Sequence, residues 1–239
     1  MRVADRKGAR PDWRKARRAE AGYARELRKV ARAVADLLKG ASHDPDAVVS
    51  ALGRYAEIVR PWARAAGQRM LAEVSRMDRK AWEAHTGEVG RALRRELAEE
   101  PTGAAVREIL DRQVDLITSL PRQAAERVQS LALDAVASGQ RSGTLVDELA
   151  RTGEITLNRA TLIARTETGR ASTAITQARA ERAGSVGYIW RTCEDGQVRP
   201  SHRAMNGKMV RWDSPPTLDR VRGHAACVPN CRCYAEPLL

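Results

Sequence analysis

Phenylalanine is absent from this 239-residue chain, and aromatic residues make up only 4% of it. A core built on many aromatic rings is thereby excluded, so the 43% of hydrophobic residues must pack chiefly through Ala, Leu and Val. Lysine is scarce too, at six against 36 arginines. No uninterrupted apolar run reaches the roughly 18 residues that a membrane-spanning helix needs. The segment from Met1 to Lys7 also lacks the apolar stretch of a secretory signal. The expectation is a protein kept in a cytosol, with no membrane partner. Sequence signatures of catalysis are missing as well: there is no nucleophile elbow, no Gly-rich phosphate loop and no His-Glu-x-x-His helix. The chain is therefore not expected to be an enzyme, and no small-molecule substrate is assigned.

What is present is helix-forming sequence with an uneven charge. Ala, Leu, Arg and Glu lose little side-chain freedom in a helix, so the bulk of the chain should be helical. The net charge is +12. Residues 1–40 contribute +8, residues 41–160 contribute −1 and residues 161–239 contribute +5. Both ends are basic, and a polyanion such as double-stranded DNA is the partner class that this favours. Along the first helical stretch, Tyr23, Leu27, Val30, Val34 and Leu37 fall at steps of four and three, the spacing of one buried stripe. Arg14, Lys15, Arg17, Arg18, Arg25, Arg28 and Arg32 fall on the other side and are the candidate DNA contacts; a solvated face packed beside a neighbour is the alternative.

Asp44-Pro45 reads as an N-cap and first-turn proline opening a second helix, and Pro61 should kink or restart it. Helical pattern resumes through Trp62, Met70, Val74, Met77 and Trp82 and continues to about Glu99. Two further helices are predicted over 104–118 and 121–137, a short one over 145–150 and another over 157–183, stopped by Gly184. Beyond this point the pattern changes. Residues 186–192 and 209–212 read as strands, and the remaining tail reads as loop. The predicted fold is mainly α, with long N-terminal helices followed by a small C-terminal α+β domain and a loop-rich tail that zinc can clip. The expected boundary lies near residue 155, giving a helical arm or bundle over 1–155 and a compact unit over 156–239.

Five landmarks stand in order in the last third. They are Ala164-Arg-Thr-Glu-Thr-Gly-Arg170, Trp190-Arg-Thr192, Asp195-Gly-Gln-Val-Arg-Pro-Ser-His202, Gly207-Lys208 and Asn230-Cys-Arg-Cys233. Each alone is weak, but in this order they resemble the phage Mu F-like head morphogenesis family. That resemblance implies a minor capsid protein of a tailed phage, acting in procapsid and head assembly. It implies portal or major capsid protein as partner and a place in the virion, after assembly in the host cytoplasm. Where that family often has a Cys-x-x-Cys pair, residues 195–202 here have none.

All four cysteines, Cys193, Cys227, Cys231 and Cys233, lie in the last 47 residues. In a reducing compartment this clustering favours metal ligation over disulfides. His202, His224, Cys227, Cys231 and Cys233 are the soft and borderline ligands that Zn²⁺ takes four at a time in a structural site. The preferred set is His202, Cys227, Cys231 and Cys233, with Cys193 and His224 in reserve. The alternative is that the cysteines are small buried hydrophobes and His202 a hydrogen-bonded turn residue. Ion pairs of Arg165 with Glu167 and of Asp195 with Arg199 are expected to lock the helix to the turn, and Trp190 and Trp212 to anchor the core. A second functional reading is a zinc-dependent nucleic-acid-acting enzyme or toxin-related module, with Asp195 or Glu167 as acid or base beside His202.

Overall fold

The computed structural model describes residues 13–39, 44–85, 103–138 and 142–238. Among the described residues five helices come first: α1 (Trp13–Leu38), α2 (Pro45–Ile58), α3 (Arg60–His85), α4 (Gly103–Ser138) and α5 (Ser142–Arg182). Then follow strand β1 (Gly187–Thr192), the one-turn helix α6 (Pro200–Arg203), β2 (Met209–Arg211), β3 (Thr217–Leu218), β4 (Val221–Arg222) and β5 (Cys233–Pro237). A mainly helical chain with a small C-terminal sheet is what the sequence predicted. The helical continuation expected up to Glu99 lies outside the described residues.

The described residues fall into two compact units. One lies within Ala21–Met70 and Glu108–Arg165 and is helical; the other lies within Met1–Glu20, Leu71–Arg107 and Thr166–Leu239 and is mixed. In the helical unit the α1 stripe is buried as expected at Tyr23, Leu27, Val30 and Val34, with Leu38 fully covered and Leu37 half-buried. Val34 and Leu38 pack with Val48 and Leu52 of α2, Ala124 and Val128 of α4 and Leu149 of α5. The Asp44 carboxylate accepts from the Ala47 amide at 2.9 Å, which satisfies one of the orphan donors opening α2. Pro61 does restart the helix: α2 ends at Ile58 and α3 begins at Arg60.

Two expected breaks are absent. Pro121 lies inside α4 and does not begin a new helix. A proline there removes one backbone hydrogen bond, but Ile117, Leu120 and Ala124 on the same face are all buried, and that burial holds the helix through it. Likewise residues 145–150 and 157–183 form one helix, α5. Gly153 fits where a Cβ would come within 3.3 Å of the Ala35 Cβ, so it is a close-packing position. Thr152 and Thr156 return their hydroxyls to the carbonyls four residues back, at 2.9 and 2.8 Å, which keeps their polar groups satisfied within the helix.

In the mixed unit α5 stops as predicted. Gly184 adopts a left-handed φ of +79°, its amide bonds to Glu181 and the Ser185 amide to Ala180. This pair of bonds closes the last turn. The sheet order is β2-β1-β5, antiparallel throughout, with Tyr188 opposite Val210 on one side and Trp190 opposite Ala235 on the other. β1 and β2 occupy the strands read from sequence, whereas β5 was read as loop. Its pattern is legible afterwards: Cys231, Cys233 and Ala235 alternate as small buried residues with Arg232, Tyr234 and Glu236 between them. Tyr188, Trp190 and Trp212 form the centre of this core with Trp82, Ala180, Val210 and Val228, which bears out the two tryptophans as anchors.

A polar network is sunk into the same unit. Asp78 forms a close ion pair with Arg179, whose side chain is 2% exposed. Thr176 donates to Asp78 at 2.6 Å, and Arg179 donates to the Ser75 hydroxyl at 2.9 Å. Burial pushes the Asp78 carboxyl above its ordinary range, while Arg179 and Thr176 pull it back. Removing one partner leaves a buried charge uncompensated, so Asp78→Ala is expected to destabilise the fold by about 3–5 kcal/mol in denaturant unfolding. Asp78→Asn, which keeps an acceptor, should lose less; equal stability of Asp78→Ala and wild type would remove the network from the account of the fold.

Candidate metal centre

The described residues contain one group of three metal-ligating side chains: His202, Cys231 and Cys233, all buried, with ligand atoms within 4.8 Å of one another. His202 Nδ1 lies 3.3 Å from the Cys231 Sγ and 3.5 Å from the Cys233 Sγ. The Trp190 ring closes the site edge-on to the imidazole, at 5.5 Å between centroids.

Each ligand is placed by one of the sequence landmarks. The Asp195 carboxylate accepts from the Gln197 amide at 3.0 Å and its carbonyl from the Val198 amide at 3.2 Å, which forms the turn. Val198 is buried as an anchor, and Pro200 opens α6 with φ already set for helix. His202 then faces inward from that single turn. Asn206 accepts from the Thr192 amide at 3.1 Å, and the Gly207 amide donates to the Trp190 carbonyl at 2.8 Å, so the Asn-Gly-Lys step clips α6 to β1. Cys231 and Cys233 share a side because β5 begins there and successive odd residues point the same way.

The helix landmark has a role that sequence reasoning missed. Thr173 donates to the Ala225 carbonyl at 2.7 Å, Arg170 to the Cys227 carbonyl at 2.6 Å, and Thr166 accepts from the Asn230 amide at 3.3 Å. A Cβ on Gly169 would stand 3.1 Å from both the Ala226 Cβ and its carbonyl oxygen. Residues 166–173 of α5 are thus the seat of the loop that delivers both cysteines. The signal was available in principle: Thr166, Gly169, Arg170 and Thr173 recur at helical steps of three and four.

Glu167 accepts from Arg170 at 2.6 Å. One expected partnership, that of Asp195 with Arg199, is redrawn. Asp195 pairs with Arg232 at 2.6 Å and with Arg17 at 3.7 Å, and Arg199 instead donates to the Pro229 carbonyl at 2.9 Å. Burial alone would raise the Asp195 carboxyl, but hydrogen bonds from Cys193 and Gln197 and the charges of Arg232 and Arg17 hold it below the usual range.

Cys227 is not in the three-residue group. It is half-buried, and burial pushes its thiol up to about 11. His224 belongs to the aromatic core, with Nδ1 3.2 Å from the Tyr188 hydroxyl and its pKa lowered by burial. Cys193 also stands outside the group. Within the group, a hydrogen bond from Cys233 draws the Cys231 thiol down to about 6, and Cys233, which keeps the proton, is correspondingly raised. Two sulfurs and an imidazole nitrogen are the donor set that suits tetrahedral Zn²⁺. His202 Nε2, on the far side of the ring from the two sulfurs, is buried without a hydrogen-bond partner among the described residues.

Residues 126–236, which contain this whole site, match the family described as Phage Mu protein F like protein. Over these residues, just under half of its length, the chain is similar to the phage Mu F-like family. An uncharacterized protein of Haemophilus influenzae is 32% identical over 126 residues, covering 53% of this chain and 28% of that protein. The minor head protein GP7 of Bacillus phage SPP1 is 27% identical over 151 residues, covering 56% of this chain and 49% of that protein. The chain thus matches about half or less of the length of these relatives. No solved structure matches. Among the described residues no helix is long and apolar enough to cross a membrane.

Thiolate ligands must lose their protons, so metal binding should release protons and weaken as pH falls. Cys231→Ser and Cys233→Ser are each expected to abolish stoichiometric Zn²⁺ binding in competition with a chromophoric chelator, and Cys193→Ser to leave it intact. Full binding by the Cys231→Ser, Cys233→Ser double variant would place the metal elsewhere.

Proposed function

We propose that this protein is a minor head component of a tailed bacteriophage that acts in head assembly. The observation that carries this reading is the family match over 126–236, joined to the likeness to a minor head protein. In this reading the Mu F-like region is a structural module, and its partners are the portal or the major capsid protein. It resides in the virion after assembly in the host cytoplasm. Zn²⁺ is its structural metal, with His202, Cys231 and Cys233 as three ligands and Cys227 as the fourth, contributed by the adjoining loop. A small loop-rich module buries little apolar surface, and metal binding adds directly to its folding free energy.

The same reading assigns DNA contact to α1. Successive helical residues turn by about 100°, which sets Arg14, Lys15, Arg17, Arg18, Arg25, Arg28 and Arg32 within an arc of roughly 160°, opposite Leu27 and Val34. Arg17, Arg18, Arg25 and Arg32 are exposed, and Arg28 is half-buried and donates to Thr161 at 3.4 Å. The side chains of Arg14 and Lys15 lie outside those described. Guanidinium groups on one exposed face suit phosphate without reading bases.

Mass spectrometry of purified procapsids and virions from the source phage is expected to find this polypeptide; its absence from both would end the assembly reading. For the DNA contact, Arg18→Ala, Arg25→Ala, Arg32→Ala together should reduce the slope of log affinity against log salt by about 3 on duplex DNA, at roughly 0.9 per phosphate contact. A slope that does not change would remove α1 from the interface.

A further inference from the structure

We infer that Asp219 is the positioning carboxylate of the metal centre, holding His202 in the orientation that ligates; this rests on the metal reading above. The argument starts from the imidazole. His202 presents Nδ1 to both sulfurs, at 3.3 and 3.5 Å, so Nδ1 is the nitrogen that donates its lone pair to the metal. The ring proton then belongs on Nε2. That atom is buried and has no hydrogen-bond partner. A buried donor left unpaired forfeits its bond to water without a replacement.

One carboxylate faces it. Asp219 Oδ2 stands 3.9 Å from His202 Nε2, roughly 0.7 Å beyond the upper end of the N–H···O range. The same oxygen is held at 2.9 Å by the hydroxyl of Ser201, the residue preceding His202 on α6. Two neighbouring residues of one helical turn thus converge on one carboxylate. Its backbone is also specialised. Asp219 and Arg220 have φ of +50° and +66° and form the two-residue turn between β3 and β4. Both residues of such a turn need positive φ, a requirement that Asp meets more readily than most residues. The hairpin therefore delivers an acceptor to the rear of the imidazole from a segment that shares no strand with the ligands. Ligating histidines characteristically donate their second N–H to a carboxylate, which fixes the tautomer and raises ligand basicity.

The test compares Zn²⁺ affinity, by chelator competition at fixed pH, for the full chain and four variants. Asp219→Gly removes the carboxylate while tolerating the backbone conformation, and should weaken binding by about 10–100-fold. Asp219→Asn keeps a carbonyl acceptor and should recover most of that loss, whereas Ser201→Ala should show a smaller loss. Arg220→Gly alters the same turn without touching the carboxylate and should bind as wild type. With Co²⁺ in place of Zn²⁺, Asp219→Gly should retain the sulfur-to-metal charge-transfer band, because both thiolates still ligate. Wild-type affinity in Asp219→Gly, or an equal loss in Arg220→Gly, would overturn the assignment of Asp219. Absence of stoichiometric binding by the wild-type chain would instead overturn the metal reading itself, before any variant is compared.

Discussion

The mixed unit depends on one docking event: the loop 225–230 seated on residues 166–173 of α5. Only with that loop in place does β5 start where it does, and only then do Cys231 and Cys233 meet His202. Three hydrogen bonds and one close backbone approach at Gly169 define the seat, and each involves a main-chain atom of the loop. Side chains of one element thereby fix the path of another, which is how a segment short of regular structure acquires a single conformation.

The metal group is consequently assembled from three separate parts of the chain. α6 brings the imidazole, the start of β5 and the segment just before it bring the sulfurs, and β1 supplies Trp190 as a wall. No two of these parts are adjacent in sequence, so the free energy of closing the loops between them opposes formation of the group. The aromatic core of Tyr188, Trp190 and Trp212 offsets part of this, and a bound metal would contribute most where the core is thinnest.

Much of the helical architecture was legible in sequence because its signals are local. The α1 stripe, the Asp44 cap, the restart at Pro61 and the stop at Gly184 each follow from a few neighbouring residues. The breaks wrongly expected at Pro121 and near Gly153 show where local signals lose: burial of Ile117 and Leu120 outweighs a missing amide, and close packing against Ala35 needs the glycine. At the site, the His202, Cys231 and Cys233 trio was legible from ligand chemistry. The pairing of Asp195 with Arg232 was not, because it depends on where the loop sits on α5. β5 is not legible in sequence because five residues with two prolines nearby give too short an alternation to stand apart from a turn-rich tail.

The seat on α5 also bears on how such a region tolerates change over evolutionary time. Its three hydrogen bonds end on main-chain atoms of the loop, two carbonyls and an amide that every residue type except proline possesses, so these bonds demand no particular side chain of Ala225, Cys227 or Asn230. Thr166, Gly169, Arg170 and Thr173 have no such latitude, since each acts through its own side chain or through the lack of one. The hydrogen bonds of the seat therefore constrain the helix sequence more than the loop sequence, which makes the helix the more durable trace of shared ancestry.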